Sequence, residues 1–212
     1  MDVKTHAAAA CAIFDALPRD AQEFLRLSDL ELRHWARVPD EQDHDALMQT
    51  GCETGVECHA HSWKLGPDGS SHLTGSAATV IASAPRECLS AVREGHFDEA
   101  REVFVKAFSH YALDITTPWH VTRQLTSEQH RAGEKAIAKL AIASPIVPIP
   151  LAEPRSLYRS AVAAAEETHS LYVARLMAGD EATGELGAAI LAHSVGFGLS
   201  VAHYIWRWLV RG

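Results

Sequence analysis

The chain has 212 residues, 47% of them hydrophobic and 22% charged, and a net charge of −8 with histidine neutral. These proportions belong to a folded chain with one good-sized core and exclude a disordered or low-complexity one. No basic stripe interrupts the acidic balance, so binding of duplex nucleic acid through phosphate neutralisation is set aside. The outlier is histidine, with 13 residues, a side chain that is the commonest metal ligand near neutral pH.

In chain order, residues 3–17 read as a helix with Ala7, Ala10, Ile13, Phe14 and Leu17 on one face, stopped by Pro18. Residues 19–37 read as a second helix, with Phe24, Leu27, Leu30 and Trp35 turned inward and Pro39 at its end. Residues 40–75 are irregular and rich in Gly, His, Cys and Asp, with a turn signal, Gly-Pro-Asp-Gly, at 66–69. A helical pattern returns over 74–93, kinked or broken at Pro85. After Gly95 another helix spans about 97–114. The Thr-Thr-Pro at 116–118 breaks the pattern, and Thr126 or Ser127 caps a helix running to about Ala143. Four prolines at 145, 148, 150 and 154 make a stiff connector over 144–154. Two long helices follow, over 155–178 and 181–210. Strand signals are nearly absent, so the expected fold is all-α, a single domain over 1–212.

No run approaches the ~20 apolar residues of a membrane span. The apolar stretch 7–14 follows one Lys and Asp2 and makes a poor signal peptide. The chain is therefore read as cytoplasmic, with a mature secreted fragment carrying an added Met as the open alternative. Of the four cysteines, Cys11, Cys52, Cys58 and Cys88, only the pair 52 and 58 is close enough to suggest a disulfide. Reduced structural thiols are the expectation for a cytosolic chain.

The chemistry concentrates between residues 110 and 134. His110 and Asp114 stand at i,i+4 on an expected helix, so both project from one face. His120 follows the Thr-Thr-Pro turn. His130 and Glu134 repeat the i,i+4 spacing on the next helix. If the two helices packed antiparallel, these five side chains would converge, and nitrogen and carboxylate ligands of this kind suit zinc, iron or manganese. Each pair alone reads more readily as a surface ion pair; both pairs plus His120 within 25 residues favour a metal site, with surface ion pairs as the lesser reading.

The run His110-Tyr111-Ala112-Leu113-Asp114-Ile115-Thr116-Thr117-Pro118-Trp119-His120 resembles the signature of the prokaryotic zinc-dependent phospholipases C, which share a helical-bundle fold with the S1/P1 nucleases. His110, Tyr111, Asp114, the aliphatic Ile115, Pro118 and His120 match. In that family a His and a Glu four residues apart follow, and His130 and Glu134 match them. Upstream, His6 in Thr5-His6-Ala7 resembles the family's His near the start of the first helix. Val38-Pro39-Asp40 resembles its Asp, with Asp43 and Asp45 as alternatives. His61 in His61-Ser62-Trp63-Lys64 resembles its loop His, with His59 as the competitor. The likeness covers roughly residues 5–143.

The resemblance implies up to three zinc ions. Asp40, His61, His110 and Asp114 would hold one, His120, His130 and Glu134 a second, and His6 with a bridging Asp114 a third. Asp40 would steer or deprotonate a water that attacks a phosphoester. Leu113, Thr116, Thr122 and Gln124 depart from the signature, so the ligands are kept while their flanks change. Secreted members complete the third site with their mature amino terminus. Five residues precede His6 here, fewer than in those enzymes, which leaves a dinuclear site or another metal, iron or manganese, in play.

The expected function is a metal-dependent phosphoester hydrolase acting on a small-molecule or phospholipid-like substrate. The alternatives are a biosynthetic metalloenzyme using the same site for cyclisation, elimination or oxidation, a metal-stabilised binding protein without turnover, and a plain helical bundle. His169, His193 and His203 read as core or boundary residues of the last helices; His34, His44, His72 and His96 read as surface. Tyr204, Trp206 and Trp208 read as core packing, with a homo-oligomer interface or a lipid-facing patch as the lesser reading.

Overall fold

The computed structural model describes residues 1, 3–39 and 62–211. It is mostly helical. The first helix, α1 (Val3–Asp15), follows the expected face: Ala7, Ala10, Ile13, Phe14 and the following Leu17 are all buried.

The expected single helix over 19–37 is instead two. α2 (Arg19–Leu25) ends at Arg26, which adopts a left-handed conformation with φ of 48°. α3 (Asp29–Trp35) then starts afresh at Ser28, whose side chain accepts from Glu31 N while Glu31 reaches back to Ser28 N. This reciprocal cap satisfies two amide donors that an interrupted helix leaves open. The break resets the helical phase, so Leu25 and Leu32 are buried while Phe24 and Leu30 are exposed. Leu27 and Trp35 pack partly buried against the core.

Two short strands, β1 (Lys64–Leu65) and β2 (His72–Thr74), form an antiparallel hairpin around the Gly-Pro-Asp-Gly turn. Asp68 holds that turn by accepting from the amides and hydroxyls of Ser70 and Ser71. α4 (Ala77–Glu94) runs unbroken through Pro85, which is buried, and ends at Gly95 with φ of 81°. Its buried face is mostly small (Ala77, Ala78, Ala84, Cys88 and Ala91 beside Ile81 and Pro85), which lets neighbouring helices approach closely.

α5 (Phe97–Lys106) passes into a π-helical turn, π1 (Ala107–Tyr111), and then α6 (Ala112–Asp114), so the expected helix to 114 is present with one widened turn. α7 (Pro118–Val121) is a single turn. α8 (Ser127–Ile137) is capped by Thr126 and Gln129 and stops six residues short of the expected end. The connector carries a cis Ser144–Pro145 bond. α9 (Leu157–Thr168), π2 (His169–Val173) and α10 (Ala174–Met177) make up the next expected helix.

α11 (Gly184–Leu209) is the axis of the fold. It packs on α4, π1, α6, α1 and α8. It is also the one described helix long and apolar enough to cross a membrane, and most of that stretch is buried within the fold. A Cβ at Gly198 would lie 2.6 Å from Phe108 O and under 3.0 Å from Ile13 and Leu113. Glycine there lets α11 press directly against the elements that carry His6, His110 and Asp114.

Candidate metal centre

Six of the eight expected ligands are brought together: His6 from α1, His110 from π1, Asp114 at the end of α6, His120 from α7, and His130 and Glu134 from α8. Asp40 and His61 lie outside the described residues, as do Cys52 and Cys58. Among the described residues the ligand atoms form two groups, His6–His110–Asp114 and His120–His130–Glu134, each with its atoms within 4.8 Å of one another. α6 and α8 both pack on α11, and the short α7 between them delivers His120.

The inner group is sealed. His6, His110 and Asp114 are each 0% exposed. The His6 and His110 rings stack with centroids 4.2 Å apart. His6 Nδ1 bonds Ser109 O at 2.7 Å, and His110 Nδ1 bonds Ala36 O at 3.0 Å. With Nδ1 donating its proton to a carbonyl, a neutral ring carries its lone pair on Nε2, the tautomer that ligates. His6 Nε2 lies 3.2 Å from Asp114 Oδ1, and His110 Nε2 lies 3.2 Å from Asp114 Oδ2. His6 Nε2 and Asp114 Oδ2 nevertheless make no hydrogen bond, although both are buried. Buried polar atoms are normally satisfied, so acceptor atoms converging without a proton between them fit a cation.

The π turn contributes directly. Its wider winding, with Ala112 N bonding Ala107 O, places His110 at mid-turn, and Ser109 O is at hand for the His6 ring. Such turns recur at functional sites. Thr116 and Thr117 hydroxyls donate back to Ala112 O and Leu113 O, closing the helix just after Asp114. Ser194 on α11 donates to Thr116 O at 2.9 Å and ties that turn to the core.

The outer group is more open: the side chains of His130 and Glu134 are 30% and 22% exposed. Glu134 Oε1 lies 3.1 Å from His130 Nε2 and 3.6 Å from His120 Nε2. Asp114 Oδ1 joins the groups, 3.6 Å from His120 Nε2. At the same point sits the amino group of Met1, 2.7 Å from Asp114 Oδ1, 2.9 Å from His120 Nε2 and 3.2 Å from Glu134 Oε1. The five residues before His6 are therefore enough to bring the terminal amine to the centre. The short spacing before His6 argues against this placement; the docking of α1 brings it about.

Burial opposes ionisation of Asp114, but the electrostatic pull of His120, the terminal amine, His6 and His110, which the histidines exert when protonated, outweighs it and holds its carboxyl well below the ordinary range. Glu134 is shifted the same way: burial raises it, and hydrogen bonds with His120 and His130 together with the terminal amine more than reverse the effect. Both carboxylates are thus anionic at neutral pH, as cation ligands need to be.

Gly133 lets α8 close on the centre; a Cβ there would come within 2.5 Å of the Trp119 ring. A cavity of about 350 Å³ opens beside this contact, lined by Trp119, Leu125, Ala132, Gly133 and Leu176. None of the six ligands lines it, so the cavity adjoins the centre through Trp119 rather than containing it. Of the other histidines, His169 is buried with Nε2 making no hydrogen bond, His193 and His203 are half-buried, and His72 stacks on Trp63 at 3.7 Å.

No protein-family model matches the chain, and no curated protein matches it.

Proposed function

We propose that the protein is a metal-dependent hydrolase of phosphoesters, on a helical bundle of the zinc phospholipase C and P1 nuclease type. The observation that carries this reading is Asp114, a fully buried carboxylate whose two oxygens face different histidines at the junction of two His₂-carboxylate groups. That arrangement suits two or three zinc ions sharing one bridging carboxylate. A divalent cation held there acidifies water and draws charge from a phosphoryl oxygen.

The residues have distinct tasks. His6 and His110, their rings fixed on Ser109 O and Ala36 O, hold the inner position with Asp114. His120, His130 and Glu134 hold the outer one. The partial exposure of His130 and Glu134 makes the outer group the side from which a small or phospholipid-like ester approaches. The proposed base Asp40 rests on the resemblance alone.

A second reading has its own support. Each group is two histidines and one carboxylate, the set that also serves non-haem iron in oxidative chemistry. One experiment separates the two. Elemental analysis of the purified, untagged protein is paired with hydrolysis of bis(4-nitrophenyl) phosphate, for the wild type, Asp114→Ala and His130→Ala. Two or three zinc ions per chain, with diester cleavage lost in both variants, supports the hydrolase. Iron with no cleavage favours the oxidative enzyme, and a protein without stoichiometric metal overturns both.

A further inference from the structure

We infer that Lys64 is a positioning residue for His120: its buried ammonium clamps the backbone on both sides of that ligand. The inference rests on the reading of His120 as a metal ligand. Lys64 is 4% exposed. Its Nζ donates to Trp119 O at 2.6 Å and to Thr122 O at 3.2 Å, so the two accepting carbonyls bracket His120 and Val121.

The local chemistry explains why a lysine stands there. α7 is a single four-residue turn, and the carbonyls of its last turn have no following helical amides to bond. These carbonyls are inside the protein, with Trp119 at 2% and Thr122 at 1% exposure. A cationic side chain at the end of a helix both satisfies such carbonyls and opposes the negative end of the helix dipole. The residues beside Lys64 grip the same strap. Trp63 N donates to His120 O at 3.1 Å, and Leu65 pairs in parallel with Thr122. Residues 63–65 thus hold 119–122 by two backbone contacts and one side chain.

The clamp differs in kind from the anchors of the inner group. His6 and His110 are oriented by hydrogen bonds from their own rings, whereas Lys64 acts on the main chain that carries the His120 ring. Its removal therefore loosens the outer group selectively. Outer-shell contacts of this type alter metal affinity by about 10–100-fold.

The test combines zinc titration against a chelator with amide hydrogen exchange of the metal-free protein, for the wild type, Lys64→Met and Lys64→Arg. Lys64→Met fills the same volume without donors. It is expected to weaken the outer zinc by about 10–100-fold and to leave the inner zinc unchanged. Lys64→Arg keeps charge and donors and is expected to recover most of the loss. In metal-free Lys64→Met, exchange should rise at residues 119–123 while α1 and α8 stay protected. Unchanged exchange at 119–123, or an equal rise across every helix, overturns the clamp. A wild type that binds no zinc, with exchange still rising at 119–123 in Lys64→Met, overturns the metal reading and sustains the clamp.

Discussion

The contact between Gly133 and Trp119 sets two opposing effects against each other, so Gly133→Ala has a signed outcome. In a free helix the change would stabilise by about 1 kcal/mol, because alanine has the higher helix propensity. Here the added methyl would meet three ring carbons of Trp119 at 2.5, 2.9 and 2.9 Å, and Trp119 is only 2% exposed. To restore ordinary contact the ring or α8 must move by roughly 0.9 Å, and overpacking of a buried site typically costs about 1–3 kcal/mol. With a rigid ring on one side and a helix backbone on the other, the upper half of that range applies. The net change is then about 1–2 kcal/mol of destabilisation, a fall in Tm of about 2–8 °C for a chain of this size. The same movement shifts His130 and Glu134 relative to His120, and metal distances tolerate only about 0.2 Å. Outer-site zinc affinity should accordingly fall by about tenfold or more. The assay is a thermal melt with a zinc competition titration, with Ala132→Gly as the control on the exposed side of the same helix. The control should lose about 1 kcal/mol from propensity alone and keep both affinities. A Gly133→Ala protein that is more stable than the wild type, with zinc binding unchanged, would refute the reasoning.

Further outcomes follow from the same geometry. Asp114→Asn should abolish binding at both groups, whereas His130→Ala should cost only the outer ion; equal loss in both variants, read by metal stoichiometry, would remove the bridging role. Burial holds His193 below its ordinary range against the opposing pull of Glu167. The unfolded chain therefore takes up a proton below about pH 6.5 that the folded chain refuses, and stability should fall as pH drops from there towards the folded-state value. Urea unfolding at pH 7.5 and 5.5 should show a smaller loss in His193→Gln than in the wild type; an identical loss would exclude the residue. The Cys88 thiol is pushed up to about 12 by burial and by Glu87, so alkylation mapped by mass spectrometry should miss it in the native protein at pH 8 and reach it in denaturant.

The legible parts of the fold and centre were those set by local geometry. The spacings His110–Asp114 and His130–Glu134 place each pair on one helical face wherever the helices go, and the apolar face of α1 was readable for the same reason. Where two local signals competed, the reading failed. Phe24, Leu27, Leu30 and Trp35 suggested one continuous stripe, yet Ser28 and Glu31 were a capping pair in plain view, and the cap decided the structure. What spacing could not supply were partners that are backbone atoms. Ser109 O and Ala36 O orient the inner rings, and carbonyls are present at every residue, so nothing in the side-chain sequence marks those two. The amine of Met1 and the ammonium of Lys64 reach their places only through the docking of α1 and the pairing of β1 with the strap after α7.

The unequal burial of the two groups sets two clocks for anything that binds there. In the outer group His130 and Glu134 meet solvent through rotation of side chains, on picosecond-to-nanosecond timescales. The inner pair lies behind α1, whose own residues Ala9, Ala10 and Ile13 are wholly buried. Access to it requires a local opening of the packing around it, at a frequency set by that region's share of the folding free energy. An occupant of the inner position would thus exchange more slowly than one of the outer position.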